Sequence, residues 1–226
     1  MTAQYKQTNR RNLFDNSQDT HDRNAGIVLI VAAFLICTVI SCTTSSPERN
    51  TSWSNTSNVA GYIPKEPARK LDVPGLPNFY KVSDNLYRGA QPTAEGMRQL
   101  KKIGIKTVVN LRLLHSDRNE IGDTELTYRH IPMTAFIPKT SDVAQFLQIV
   151  TDSNCTPVFV HCQHGSDRTG LMCAIYRIVV QGWSKDEAIV EMTRGGFGFH
   201  GIFMNLRDYI RKLKVDNVKK RAGIQE

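Results

Sequence analysis

The run His161-Cys162-Gln163-His164-Gly165-Ser166-Asp167-Arg168-Thr169-Gly170 sets a cysteine and an arginine apart by five residues. An apolar stretch, Pro157 to Val160, precedes it, and a helix-like stretch beginning near Thr169 follows it. Strand, tight loop and helix form the context in which a short loop wraps an anion. Successive backbone N–H groups point inward and the helix N-terminus adds positive potential. Gln163, His164, Gly165, Ser166, Asp167 and Arg168 are therefore the expected phosphate-binding residues. Arg168 can hold two phosphate oxygens through its fork of donors. The same dipoles favour a thiolate at Cys162. A nucleophile inside an anion site points to phosphoryl transfer through a phosphocysteine.

Working outward, Leu86 to Arg88 reads as a short strand. Thr93 caps a helix with Met97, Leu100 and Ile103 on its buried face, and Gly104 closes it. Lys106 to Leu111 is a β-branched strand, His115 to Thr124 a polar loop and Thr127 to Met133 another strand. Ser141 is placed as the cap of a helix whose inner face is Val143, Phe146, Leu147 and Val150. The helix after the anion loop is apolar nearly all round and is expected to be buried. Ser184-Lys185-Asp186-Glu187 is a capping box, and Arg194 and Gly195 end the helix it opens. Leu206, Tyr209, Ile210 and Leu213 mark a last amphipathic helix. Alternating strands and helices imply an α/β fold, a mostly parallel central sheet flanked by helices. Ligands of such sheets bind at the carboxyl ends of the strands, where Cys162 falls.

The loop, with its leading His161, central Gly165 and trailing Thr169-Gly170, resembles the signature of the cysteine-based protein-tyrosine and dual-specificity phosphatases. The resemblance runs from about Phe79 to Leu213. Tyr87-Arg88-Gly89-Ala90-Gln91-Pro92, Lys106 to Arg112 and Tyr176 to Trp183 look like bacterial members of the dual-specificity group. It implies a protein-tyrosine-phosphatase-like fold and a reaction without metal or other cofactor. Cys162 would attack phosphorus and Arg168 would bind the phosphate and the transition state. His161 would order the loop. Thr169 would donate its hydroxyl to the thiolate or act as a plain helix cap, and His164 would face substrate or solvent. The implied substrate is phosphotyrosine or phosphoserine/threonine on protein; phosphoinositides or inositol phosphates are the alternative.

The general acid departs from the resemblance. Similar phosphatases carry an aspartate on a separate loop upstream of the cysteine, but Ile131 to Lys139 contains no carboxylate. The pattern Cys-x-x-Gly-x-Asp-Arg-Thr over Cys162 to Thr169 also resembles lipid-phosphoinositide phosphatases and some bacterial phosphatases of mixed specificity, which implies Asp167 as the acid. Its alternative role is a loop-ordering carboxylate. Asp142 follows, then Asp117, Glu120 and Asp123 on the polar loop. Arg88 and Gln91 are candidates to line the pocket. Arg194 to His200, rich in glycine, is either a rim loop or a helix cap and turn. A metal site of His161, Cys162 and His164 lacks a fourth ligand at a recognisable spacing. A phosphate-binding pseudophosphatase is the rival for a chain without an evident acid, although Cys162 and Arg168 are intact. Sulfur transfer and arsenate reduction are disfavoured by the Thr169-Gly170 continuation and by the lack of a cysteine relay.

The chain has 226 residues, 40% of them hydrophobic, enough for one domain with extensions. Its formal net charge is +8, which suits an acidic substrate or anionic surface, yet the lysines are scattered. Few aromatics interleave with them, so nucleic acid is not an expected partner. Cys173 sits roughly 16 Å along a helix from Cys162, and Cys155 at most about 23 Å away along an extended chain. Neither spacing favours a disulfide with it.

Residues 1–42 are read as a membrane-targeting segment. A polar lead precedes the apolar run Gly26 to Ile40, and Val39-Ile40-Ser41-Cys42 resembles a bacterial lipobox with Cys42 as the lipidation candidate. The other reading is an uncleaved signal anchor. Either places the catalytic domain in the cell envelope, outside the cytosol. Residues 43–77, rich in Ser, Thr, Asn and then Pro, are read as a flexible linker. Residues 78–215 form the expected catalytic domain and 216–226 a basic tail.

Overall fold

The computed structural model describes residues 65–224. Residues 1–42, with Cys42 and the expected targeting segment, and residues 43–64 lie outside the described residues. No described helix is long and apolar enough to cross a membrane.

Six strands form one sheet in the order β1-β2-β3-β6-β4-β5: Arg69–Lys70, Tyr80–Lys81, Leu86–Gly89, Val158–His161, Thr107–Asn110 and Thr127–His130. β3, β6, β4 and β5 run parallel, while β1 and β2 add an antiparallel edge. β4 (TVVN) and β6 (VFVH) are buried at every position, as strands covered on both faces must be. Their side chains alternate between two cores. Val109, Val158 and Val160 join the larger core beneath α3 (Thr140–Thr151), α4 (Asp167–Val179), α5 (Lys185–Arg194), α6 (Asn205–Lys212) and α7 (Val215–Ala222). Val108 and Phe159 face the smaller core, with Met97 and Leu100 of α1 (Ala94–Ile103) and Ile121 of α2 (Arg118–Ile121). The mostly parallel sheet flanked by helices is the expected architecture.

The helix ends follow local chemistry. Thr93 Oγ1 accepts the Gly96 N–H, and Gly104, at φ 95°, closes α1. Ser184 and Glu187 form the reciprocal capping box of α5. α4 is buried along nearly its whole length and packs against α3, α5, α6 and α7. Arg177 on α4 donates to both carboxylate oxygens of Glu191 on α5 at 2.8 and 2.6 Å, and to the Val82 carbonyl at 3.2 Å.

Several boundaries differ from the expected ones. The C-terminal part of the expected linker belongs to the domain: β1 pairs with β2, Leu71 N–H donates to Phe79 O at 2.9 Å and Leu76 is buried. Its prolines break the segment into short pieces but leave Leu71, Val73 and Leu76 free to pack on the smaller core. Most of the expected basic tail is α7, whose Val218 and Ala222, four residues apart, are buried on the larger core. The polar loop His115 to Thr124 contains α2 and a wholly buried Asp117. α3 starts at Thr140, so Ser141 lies inside it with Oγ on Asp142 rather than capping it. Ile103 is exposed.

Candidate active site

The registers Gly89↔His161 and Asn110↔His161 bring the carboxyl ends of β3, β6 and β4 to one level. Cys162 follows immediately and is 2% exposed. The loop from Cys162 to α4 is held through its carbonyls. Gln91 N–H donates to Gln163 O at 3.2 Å, Asn78 Nδ2 to His164 O at 2.9 Å and Arg88 to Gly165 O at 2.7 Å. The N–H and C=O of a trans peptide point in opposite directions. Turning these three carbonyls outward therefore turns the N–H groups of His164, Gly165 and Ser166 inward. Gly165 has φ 71°, and a Cβ there would overlap the carbonyl of Gly89. Only glycine fits both demands.

Arg88 does not line the pocket, as the sequence suggested. It is buried behind the loop, its guanidinium stacked 3.7 Å from the Phe197 ring centroid. A strand residue held between loop and ring is turned away from solvent. Gln91 likewise links scaffold pieces, donating to Asp117 Oδ1 at 2.8 Å and accepting from Arg112 at 2.8 Å. The glycine-rich turn after α5 serves as both cap and wall: Gly195 closes α5, and Phe197 O accepts from Ser166 Oγ at 2.7 Å and Asn78 Nδ2 at 3.0 Å.

His161 is fully buried. Its Nε2 lies 2.7 Å from Asp117 Oδ2 and its ring stacks on Phe159. It orders the loop from beneath. Burial alone would raise the Asp117 carboxyl, but hydrogen bonds from His161 and Gln91 and the charges of His161 and His115 outweigh it, and the group sits below its ordinary value. His115, Asp117 and Glu120 offer ligand atoms within 4.8 Å of one another. Asp117 is already committed to His161 and Gln91, and His115 Nε2 lies 3.5 Å from it and 3.3 Å from Glu120, so the trio reads as a polar cluster.

Arg168, part-exposed at the start of α4, donates to Leu111 O at 3.4 Å and opens onto a cleft of about 430 Å³. Leu113, Met133, Ala135, Phe136, Ile202 and Phe203 line that cleft, together with His164, Asp167 and His200. The segment without a carboxylate, Ile131 to Lys139, is thus an apolar wall. Phe136 packs on Phe203 at 5.0 Å, and Asn205 Nδ2 holds the Ala135 and Phe136 carbonyls at 2.8 and 3.0 Å. Asp167 is buried, its oxygens 2.9 Å from His200 N and 2.8 Å from His200 Nδ1. Thr169 lies in the first turn of α4 rather than at its cap, with a buried Oγ1 that has no hydrogen-bond partner.

The site therefore gathers the predicted loop residues and adds Asn78, which sequence reasoning had not placed there; Asp117, a candidate acid on the polar loop, lies beneath His161, and His200, the end of the candidate rim loop, meets Asp167. Residues 76–203 match the family described as DSP-PTPase phosphatase fused to NAD+ Kinase. The chain belongs to the DSP-PTPase phosphatases. Its relatives include the dual specificity protein phosphatase TpbA of Pseudomonas aeruginosa strain UCBPP-PA14, 37% identical, with the match covering 69% of this chain and 72% of TpbA. A crystal structure of a Cys-to-Ser variant of P. aeruginosa TpbA in complex with pTyr aligns with TM-score 0.62 at 34% identity, over 70% of this chain and 96% of that one. The core catalytic domain of the PP-IP phosphatase SIW14 from S. cerevisiae aligns with TM-score 0.58 at 22% identity, over 67% and 94% of the two chains, a likeness of fold. This DSP-PTPase is a protein-tyrosine/dual-specificity phosphatase, hydrolysing phosphoric monoesters.

Proposed function

We propose that the chain dephosphorylates phosphotyrosine on protein in two steps, with Cys162 as the nucleophile and Arg168 as the phosphate clamp. The cleft wall carries the reading. One arginine and the loop's inward N–H groups suit a single phosphate, and the apolar wall around them suits an aromatic ring. A polyphosphorylated inositol would call for several cations, and Arg168 is the one arginine or lysine on this cleft among the described residues. TpbA binding pTyr agrees with the aromatic assignment. The Cys162 thiolate attacks phosphorus, forming S–P as the P–O bond to the leaving group breaks. Water then cleaves the phosphocysteine and restores the thiolate. Arg168 and the inward N–H groups bind the equatorial oxygens as charge spreads over them.

The test is phosphate release from phosphotyrosine peptide, phosphoserine peptide and an inositol polyphosphate, beside Cys162→Ser. Preference for phosphotyrosine, abolished by Cys162→Ser, is expected. Preference for the inositol ester would overturn the substrate assignment, and tight phosphopeptide binding without turnover would indicate a pseudophosphatase. We further propose that residues 1–42 anchor the enzyme in the cell envelope, supported by the apolar run and Cys42. Metabolic labelling with a palmitate analogue, lost in Cys42→Ala, would support lipidation. Membrane association without labelling would favour the uncleaved anchor.

A further inference from the structure

We propose that His200 donates the proton to the leaving group and that Asp167 is its positioning residue. The proposal rests on the phosphocysteine reading above. The wall segment Ile131 to Lys139 supplies no carboxylate to this cleft. Asp167, the one carboxylate on its lining, is 6% exposed, and His200 engages both its oxygens. A carboxylate fixed by a backbone N–H on one oxygen and a ring nitrogen on the other is an acceptor, and it sets the Nδ1–H tautomer of the imidazole. That leaves Nε2 to exchange the proton. The His200 side chain is 49% exposed and lines the same cleft as Arg168, so its ring borders the space a bound ester occupies. Phe203 meets it edge-on at 6.4 Å, and the His164 ring lies 5.5 Å away. The titratable or charged groups that contact it or share its cleft are Asp167 and Arg168 on α4 and His164 on the loop.

The proton balance closes. As Cys162 Sγ bonds to phosphorus and the P–O bond breaks, the leaving oxygen takes the Nε2 proton of the His200 imidazolium. In the second step water attacks phosphorus and gives its proton to neutral Nε2 while the S–P bond breaks. Asp167 accepts from Nδ1 throughout and exchanges no proton with substrate.

The experiment uses the full chain, as wild type, His200→Gln, His200→Asn, Asp167→Asn and Cys162→Ser, on two aryl phosphates: nitrophenyl phosphate, with an acidic leaving group, and phenyl phosphate, with a basic one. A lost proton donor should lower kcat/KM for phenyl phosphate by about a hundredfold or more and for nitrophenyl phosphate by less than about tenfold. The basic limb of the pH profile with phenyl phosphate should disappear in both His200 variants. Asp167→Asn should show the same leaving-group dependence, in smaller degree. An equal loss on both substrates, or none, would overturn the inference while leaving the Cys162 chemistry in place. So would a larger leaving-group-dependent loss in Asp167→Asn with the basic limb intact in the His200 variants, because Asp167 would then be the acid. A wild type without turnover, or one indifferent to Cys162→Ser, would overturn the phosphatase mechanism and this inference with it.

Discussion

Asp117 shows how much a single residue can hold. It is fully buried, 44 positions from the histidine it supports, and it joins His161 to Gln91 and so to the β3 exit. Its carboxyl sits below the ordinary 3.8, so the stability it contributes is complete above that value and drains as pH falls through the lower folded value. Asp117→Ala is expected to cost about 3 kcal/mol at neutral pH, because a buried partner is left unpaired. Urea unfolding should also show a flatter acid dependence below pH 3.8 than wild type. Gly165→Ala faces both a positive φ and the Gly89 carbonyl. Displacement of the loop by even 1 Å should lower kcat/KM by about a hundredfold; steady-state kinetics on a phosphotyrosine peptide would check it. The thiols should also sort themselves. Burial pushes Cys173 up to about 11, and burial with Asp152 beside it raises Cys155. Iodoacetate at neutral pH is therefore expected to label Cys162 before either of them, and inorganic phosphate should slow the labelling, as peptide mass spectrometry would read.

At the scale of elements, the larger core is tied together by one buried ion pair. Arg177 on α4 grips Glu191 on α5, reaches the Val82 carbonyl and lies against Trp183, while Glu191 also accepts the Ala68 N–H at 2.8 Å. Arg177→Met leaves a buried carboxylate uncompensated and should cost about 3–5 kcal/mol, whereas Arg177→Met with Glu191→Leu should regain most of it. A double-mutant cycle by denaturant unfolding would measure this. Elements with a local signature were legible: the cap at Thr93, the capping box at Ser184 and the buried α4 each depend on residues within a turn or two. The anion loop was legible for the same reason. Asp117 was not, because a buried carboxylate and a mobile polar one have the same letters until a distant histidine is placed beside it. Arg88 misled similarly: a basic residue at a strand end suggests a ligand contact, yet it faces the back of the loop. α7 was hidden because Lys219, Lys220 and Arg221 obscure an apolar pair at Val218 and Ala222. His200 was visible only as the end of a glycine-rich turn, since its meaning depends on an aspartate 33 residues away.

For the molecule as a whole, alternating strands and helices made the parallel sheet legible, but not the order of its strands. Among the described strands β6 comes last in the chain, yet it lies inside the sheet, three strands in from one edge and two from the other, inserted between β3 and β4. Those two strands share no edge without it. During synthesis the first five strands can leave the ribosome and still have no continuous sheet to join. Closure waits for Val158–His161, and its contacts span roughly seventy residues back to β3, a separation that slows assembly. The strand that completes the sheet is also the one that delivers the nucleophile, so a chain that has not reached β6 also lacks Cys162. Maturation of the enzyme and acquisition of its chemistry are, on this topology, one event.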